Sequence, residues 1–157
     1  MKNWLYLMLA LFGVLFDQVT KYLVQLYIPY RGRIQLIPHW LDLTLVYNKG
    51  VAFSLFDHAS NWLPFVIVIL AVAICVYLLY VIFFTKAHHI QKLAAALVIG
   101  GSIGNVMDRF LHGPVVDFIL FYHKGFSWPV FNLADSFITL GALILILEGL
   151  ITQRRGI

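Results

Sequence analysis

A mainly α-helical, polytopic membrane fold, with four spanning helices and a small β-rich segment on the outer face, is what this chain of 157 residues predicts. Three observations carry the prediction. The composition is 62% hydrophobic and only 11% charged, whereas soluble domains are about 45–50% apolar and about 25% charged. Four apolar stretches are long enough for a helix to cross a bilayer, which takes about 20 residues. Between the first two, a stretch of strict apolar–polar alternation has the period of a half-buried strand.

The spans are expected at about 4–26, 62–84, 93–111 and 133–151, in a single membrane domain covering 1–157. The first is interrupted by Asp17 and Lys21 and is followed by no small-residue cleavage site, so it reads as a retained helix rather than a signal peptide. The second contains no charged residue. The third closes on "GGSIGNVMDRF", and the fourth opens on "FNLADSFITL". The β-rich segment is expected at about 33–57. In "WLDLTLVYNKGVAFSLF", Leu41, Leu43, Leu45 and Tyr47 alternate with Asp42, Thr44, Val46 and Asn48. The turn signal Asn48-Lys49-Gly50 and a second β-prone run at 51–56 follow, which together predict a hairpin lying on the outer membrane surface. Gly113-Pro114 is a second turn signal, after which 115–118 is expected to be extended.

An even number of spans puts both termini on one side. Lys2, Lys86, Lys92, Arg154 and Arg155 lie in the tails and the short connection between the second and third spans, with no acid among them. The longer segments on the other face hold Arg31, Arg33, Lys49 and Lys124. The denser Lys and Arg mark the cytoplasmic side, so both termini are expected there. The net charge of +4 is spread over both faces with no basic stripe, which leaves nucleic-acid binding unsupported. The single cysteine, Cys75, is mid-span and can form no intramolecular disulfide.

Asp17, Asp108, Asp117 and Asp135 all lie inside apolar segments or at their outer margins, where an ionisable group is costly and its default reading is functional. Asp17 and Lys21 are spaced i, i+4 and meet on one helix face, either as a structural ion pair or to orient something else. Gly100, Gly101, Ser102 and Gly104 allow close helix packing. Asn105 and Asp108 share a face beyond them; Arg109 is expected to snorkel toward the head groups and, in an active site, to pair with Asp108. Asp117 sits among Val115, Val116, Phe118 and Ile119, apolar surroundings that favour a protonated carboxyl. Asn132 and Asp135 have the spacing of N-cap and N3 in a capping box. A cap alone leaves Asp117 unexplained. Two carboxyls at one membrane margin suit a dyad that holds one proton between them, one acting as base toward water and the other as acid toward a carbonyl. The residues therefore point to an aspartyl hydrolase.

"DQVTK", "NKGVAFS", "GNVMDR", "VVDF" and "FNLADS", in this order over nearly the whole chain, resemble the signature blocks of signal peptidase II, the bacterial lipoprotein signal peptidase family. The resemblance implies a four-helix aspartyl protease of the bacterial cytoplasmic (inner) membrane, with its active site near the outer face. It implies removal of signal peptides from prolipoproteins, the cut falling before the diacylglyceryl-modified cysteine. The family's catalytic pair falls on Asp117 and Asp135; Asn48, Gly50, Asn105, Asp108, Arg109 and Asn132 match its motif residues, and Asp17 and Lys21 its first block. No metal or organic cofactor is implied. The expected partners are lipid-modified prolipoproteins and membrane lipid, with the protein itself a monomer.

Three other classes fit the residues less well. A small transporter or channel would also set carboxylates in its helices, but usually at mid-depth facing a pore. A serine protease built on Ser102 would need a base, and none of the six histidines lies inside a span. A zinc protease lacks its His-Glu-x-x-His pattern, and the sole glutamate, Glu148, sits in the wrong part of the last span.

Overall fold

The computed structural model describes residues 2–50 and 62–154. In chain order the elements are α1 (Trp4–Tyr27), β1 (Arg33–Ile37), β2 (Leu41–Asn48), α2 (Leu63–Phe84), α3 (His89–Leu111), β3 (Val115–His123), β4 (Phe126–Ser127) and α4 (Leu133–Arg154). All four helices are long and apolar enough to cross a membrane. Their ends follow local chemistry. Ile28, which precedes Pro29, is extended at φ −116° and ψ 118° and stops α1, because proline disfavours the helical region for the residue before it. Pro64 sits in the first turn of α2, where its missing N–H is not needed.

The helix α3 is the hub. It is 56% buried along its apolar window, against 33% for α1 and 11% each for α2 and α4. Lipid tails are as apolar as leucine, so close backbone packing and polar contacts must hold such helices together. Gly100 accordingly faces Ala10 of α1, and Gly101 faces Ala134 of α4. A first apolar cluster, with Tyr6, Ala10, Leu78, Ile82, Ala95 and Ile99 among its members, joins α1, α2 and α3. Large apolar side chains such as Phe12, Phe65, Ile69 and Val76 point outward, an arrangement suited to lipid rather than water.

The four strands form one antiparallel sheet in the order β1-β2-β3-β4 at the end of the bundle where α1 and α3 finish and α4 begins. A second apolar cluster, Val24, Ile28, Leu45, Val116 and Phe118, seats the sheet on α1. Each large apolar side chain buried there contributes about 1.5–3 kcal/mol. Phe131 accepts the N–H groups of Phe118 and Ile119 at 2.9 and 2.8 Å and donates its own to Ile119 at 3.1 Å, tying the approach to α4 to β3.

The alternation at 41–47 does mark a strand. The strand pairs with β1 and β3; the 51–56 run lies outside the described residues. Its polar side is the better covered: Asp42 and Thr44 are each 4% exposed while Leu41 and Leu43 are half-buried. Tyr122 Oη donates to Asp42 Oδ1 at 3.0 Å, satisfying the buried carboxylate. A register shift between Leu43 and Val46 leaves Thr44 and Leu45 buried in succession, as a bulge breaks alternation.

Candidate active site

The β2–β3 register sets Val46 opposite Asp117 and Asn48 opposite Val115, bringing the end of β2 beside Asp117. Asn48 Nδ2 donates to Asp117 Oδ2 at 2.9 Å. The orientation of Asn48 is itself held: its Oδ1 accepts the Gly50 N–H at 2.8 Å. Gly50 turns the chain here with φ +90°, a conformation that other residues seldom adopt.

On the other side of Asp117, Asn132 Nδ2 donates to Oδ1 at 2.7 Å. The expected capping box is present: Asp135 N–H donates to Asn132 Oδ1 at 2.9 Å, and Asn132 N–H to Asp135 Oδ2 at 3.3 Å. Asn132 thus caps α4 with its oxygen while its amide nitrogen holds Asp117. Capping and site geometry are served by the same residue. The second oxygen of Asp135, Oδ1, accepts Asn105 Nδ2 at 2.8 Å.

Asp117 is 2% exposed. Burial pushes its pKa up to about 6, and the charge of Asp135 adds to the rise; the Asn48 and Asn132 hydrogen bonds and the Lys21 charge oppose it. Asp135 is half-buried at the first turn of α4. A carboxyl that keeps its proton to higher pH than usual, with a second carboxyl in coulombic reach, is a setting for shared-proton chemistry.

Beneath the pair lies a second group. Lys21 Nζ is 2.7 Å from Asp17 Oδ2, 2.9 Å from Asp108 Oδ2 and 3.1 Å from Asn105 Oδ1. The i, i+4 contact of Asp17 with Lys21 is as expected. The Arg109–Asp108 pairing is not. Asp108 is engaged by Lys21, by the Val116 N–H at 3.0 Å and by Gln18 Nε2 at 2.9 Å. Arg109 instead donates to the Asn105 carbonyl at 3.2 Å, one turn back on its own helix, and reaches Asp135, Asp117 and Asp108 only through longer-range charge. A lysine reaching across from α1 took the place assigned to the neighbouring guanidinium.

All ten residues singled out in the sequence fall into one hydrogen-bonded network. Among the described residues, no buried side-chain nitrogen or oxygen is left without a partner. Two members were missed. Gln18 donates within 2.9–3.3 Å of Asp108, Gly104 O and Asp17, and its signal was being an amide inside an apolar span. Gly104 does more than allow packing: a Cβ there would lie 2.6 Å from Asp17 Oδ2, so a bare backbone is what lets α1 bring its carboxylate in. Among the described residues no three His, Cys, Asp or Glu side chains converge as a metal site. A cleft of about 350 Å³ lined by Trp40, Phe121, His123, Phe126 and Trp128 lies toward the far end of β3 and contains none of these ten residues.

The family model described as Signal peptidase (SPase) II matches residues 9–151. The lipoprotein signal peptidase of Neisseria meningitidis serogroup C (strain 053442) is 42% identical over 151 residues, covering 96% of this chain and 92% of that protein. The lipoprotein signal peptidase of Azoarcus sp. (strain BH72) is 45% identical over 141 residues, covering 90% and 78%. A bacterial membrane enzyme solved by the in meso method at 2.3 Å resolution superposes with a TM-score of 0.83 at 32% identity, covering 94% of this chain and 88% of its own. With the match running through all four helices and the network at their sheet end, the chain belongs to the signal peptidase II family.

Proposed function

We propose that this chain is an aspartyl endopeptidase that removes signal peptides from diacylglyceryl-modified prolipoproteins, with Asp117 and Asp135 as its catalytic pair. The observation that carries the reading is Asn132, which holds Asp117 with its amide nitrogen and Asp135 with its amide oxygen and main-chain N–H. One residue thereby contacts both carboxyls, that of Asp117 through its side chain and that of Asp135 through its main-chain N–H.

The chemistry follows from one shared proton. Burial favours Asp117 as its holder, which leaves Asp135 as the base. Asp135 takes a proton from water as the water oxygen attacks the carbonyl carbon before the modified cysteine. Asp117 gives its proton to the carbonyl oxygen, forming a gem-diol. On collapse the C–N bond breaks, Asp135 passes its proton to the leaving amine, and Asp117 recovers one from the diol. Arg109 adds positive charge beside the pair. Asn48 and Asn105 hold the carboxyl oxygens in place.

The same reading puts both termini in the cytoplasm and the sheet end at the outer face of the inner membrane. Lys2, Lys86 and Lys92 lie at the opposite end of the bundle, in keeping with positive charge inside. The same reading takes the protein as a monomer. A transporter would need carboxylates along a path through the bundle, whereas here Asp17, Asp108, Asp117 and Asp135 gather toward one end.

The test is cleavage by purified protein in detergent of one prolipoprotein offered with and without its diacylglyceryl group. The reading predicts cutting before the cysteine of the lipidated form only. Equal cutting of both forms, or of neither, would overturn it.

A further inference from the structure

Asp17, Lys21 and Asp108 take no part in the proton transfers above, yet each is 2% exposed or less. Charges at such depth are costly and call for a reason. The three protons of the Lys21 ammonium have three acceptors, Asp17 Oδ2, Asp108 Oδ2 and Asn105 Oδ1. Where the two carboxylates point next is informative. Asp17 Oδ1 accepts the N–H of Ala134 at 2.9 Å, the residue before Asp135. Asp108 Oδ2 accepts the N–H of Val116 at 3.0 Å, the residue before Asp117.

We propose that Asp17, Lys21 and Asp108 form a clamp that sets the separation of the Asp117 and Asp135 carboxyls, with Lys21 as its central positioning residue. Each carboxylate grips the backbone N–H of the residue before one member of the pair, and the ammonium draws the two carboxylates together. The clamp joins four elements: α1 supplies Asp17 and Lys21, α3 supplies Asp108, and the gripped N–H groups belong to α4 and β3. A second arm runs from Lys21 through Asn105 to Asp135 Oδ1. An ion pair that only stabilised the bundle would have no need to end on these two N–H groups. The coupling between two carboxyls depends on their distance, so loosening the clamp weakens the shared proton without touching the substrate.

The inference rests on the reading of Asp117 and Asp135 as the catalytic pair, and its test separates the two. The full chain in detergent is compared as wild type, Lys21→Arg, Asp17→Asn and Asp117→Asn on lipidated prolipoprotein. Arginine keeps the charge but replaces a compact ammonium by a planar fork on a longer stem, which cannot meet the same three acceptors. Asparagine at 17 keeps the shape and an oxygen for Ala134 while removing the charge that Lys21 draws in. The clamp predicts that both variants, folded as judged by Tm, lose about tenfold or more in kcat with KM within about twofold, the signature of an interaction expressed in the transition state. Should Lys21→Arg not fold, Asp17→Asn decides. A folded Asp17→Asn or Lys21→Arg with wild-type kcat, or with the loss confined to KM, overturns the clamp. An active Asp117→Asn overturns instead the reading beneath it.

Discussion

The helices α2 and α3 are neighbours of nearly equal length and opposite character. Mean hydropathy is 3.2 for α2 and 1.3 for α3, yet α2 is 11% buried and α3 56%. The segment most plainly suited to lipid contributes no more to the interior than any other, and the least apolar span contributes most. In a bilayer, apolar side chains gain little by leaving lipid for a neighbouring helix, so cohesion comes from small residues and hydrogen bonds. Gly100, Gly101, Gly104, Asn105 and Asp108 supply both on α3. The same residues that hold the bundle together therefore also build the site.

That contrast can be broken by substitutions that should act very unequally. Asn132→Ala, at the meeting point of α3, α4 and β3, removes the donors to Asp117, Asn105 and the Val116 carbonyl together with the cap on Asp135. Turnover should fall by about a hundredfold or more, as when a preorganised polar contact is deleted from an active site. Loss of the cap should cost about 1 kcal/mol of stability, read from denaturant unfolding in detergent. Turnover within about threefold of wild type would mean that Asn132 is only a cap.

The pH profile is the next largest effect. Asp117 is raised from 3.8 to about 6, so its proton is present below that value and lost above it. kcat/KM should fall on the alkaline side as the pair loses its shared proton, approaching tenfold per pH unit. Because the folded state binds this proton more tightly than the unfolded chain, the contribution of Asp117 to stability is fully present below pH 3.8 and declines as pH rises through about 6. Activity that stays flat across this window, with binding unchanged, would remove Asp117 as the acid.

Gly104→Ala should act mainly on stability. Alanine is the better helix former by about 1 kcal/mol. Its Cβ would nevertheless fall 2.6 Å from Asp17 Oδ2, a carboxylate pinned by Lys21 and Ala134. Overpacking of this kind costs about 1–3 kcal/mol, so net destabilisation is expected, with reduced activity. On α2, Ile69→Leu and Val72→Leu lie at positions 66% and 48% exposed and should leave stability within about 0.5 kcal/mol and activity unchanged. A large loss at these α2 positions would contradict the division between the two helices.

The local features were legible from spacing. Asp17 with Lys21 is an i, i+4 pair, Asn132 with Asp135 an N-cap pair, and Gly113-Pro114 a turn before an extended segment; all three occur. An ionisable side chain in an apolar span is conspicuous on energetic grounds alone, which is why the site residues stood out. Contacts between distant segments were not legible. Lys21 with Asp108 and Ala134 with Asp17 link positions far apart in sequence, and no periodicity encodes them. Sequence adjacency suggested Arg109 for Asp108, but the α1 lysine was already there. Likewise the alternation in β2 announced a strand but not its partners, nor that its polar side would be the one covered.

The central claim is that Asp117 and Asp135 together carry the proton transfers. The most direct measurement is turnover of lipidated prolipoprotein by Asp117→Asn and Asp135→Asn, each shown to fold with a Tm near wild type. Amide for carboxyl keeps the shape and removes proton exchange. The account predicts that either substitution alone lowers kcat by about a thousandfold or more, with substrate binding retained. If either variant turns over at near the wild-type rate, that aspartate serves only as a cap or a packing residue, and the account of the site is wrong.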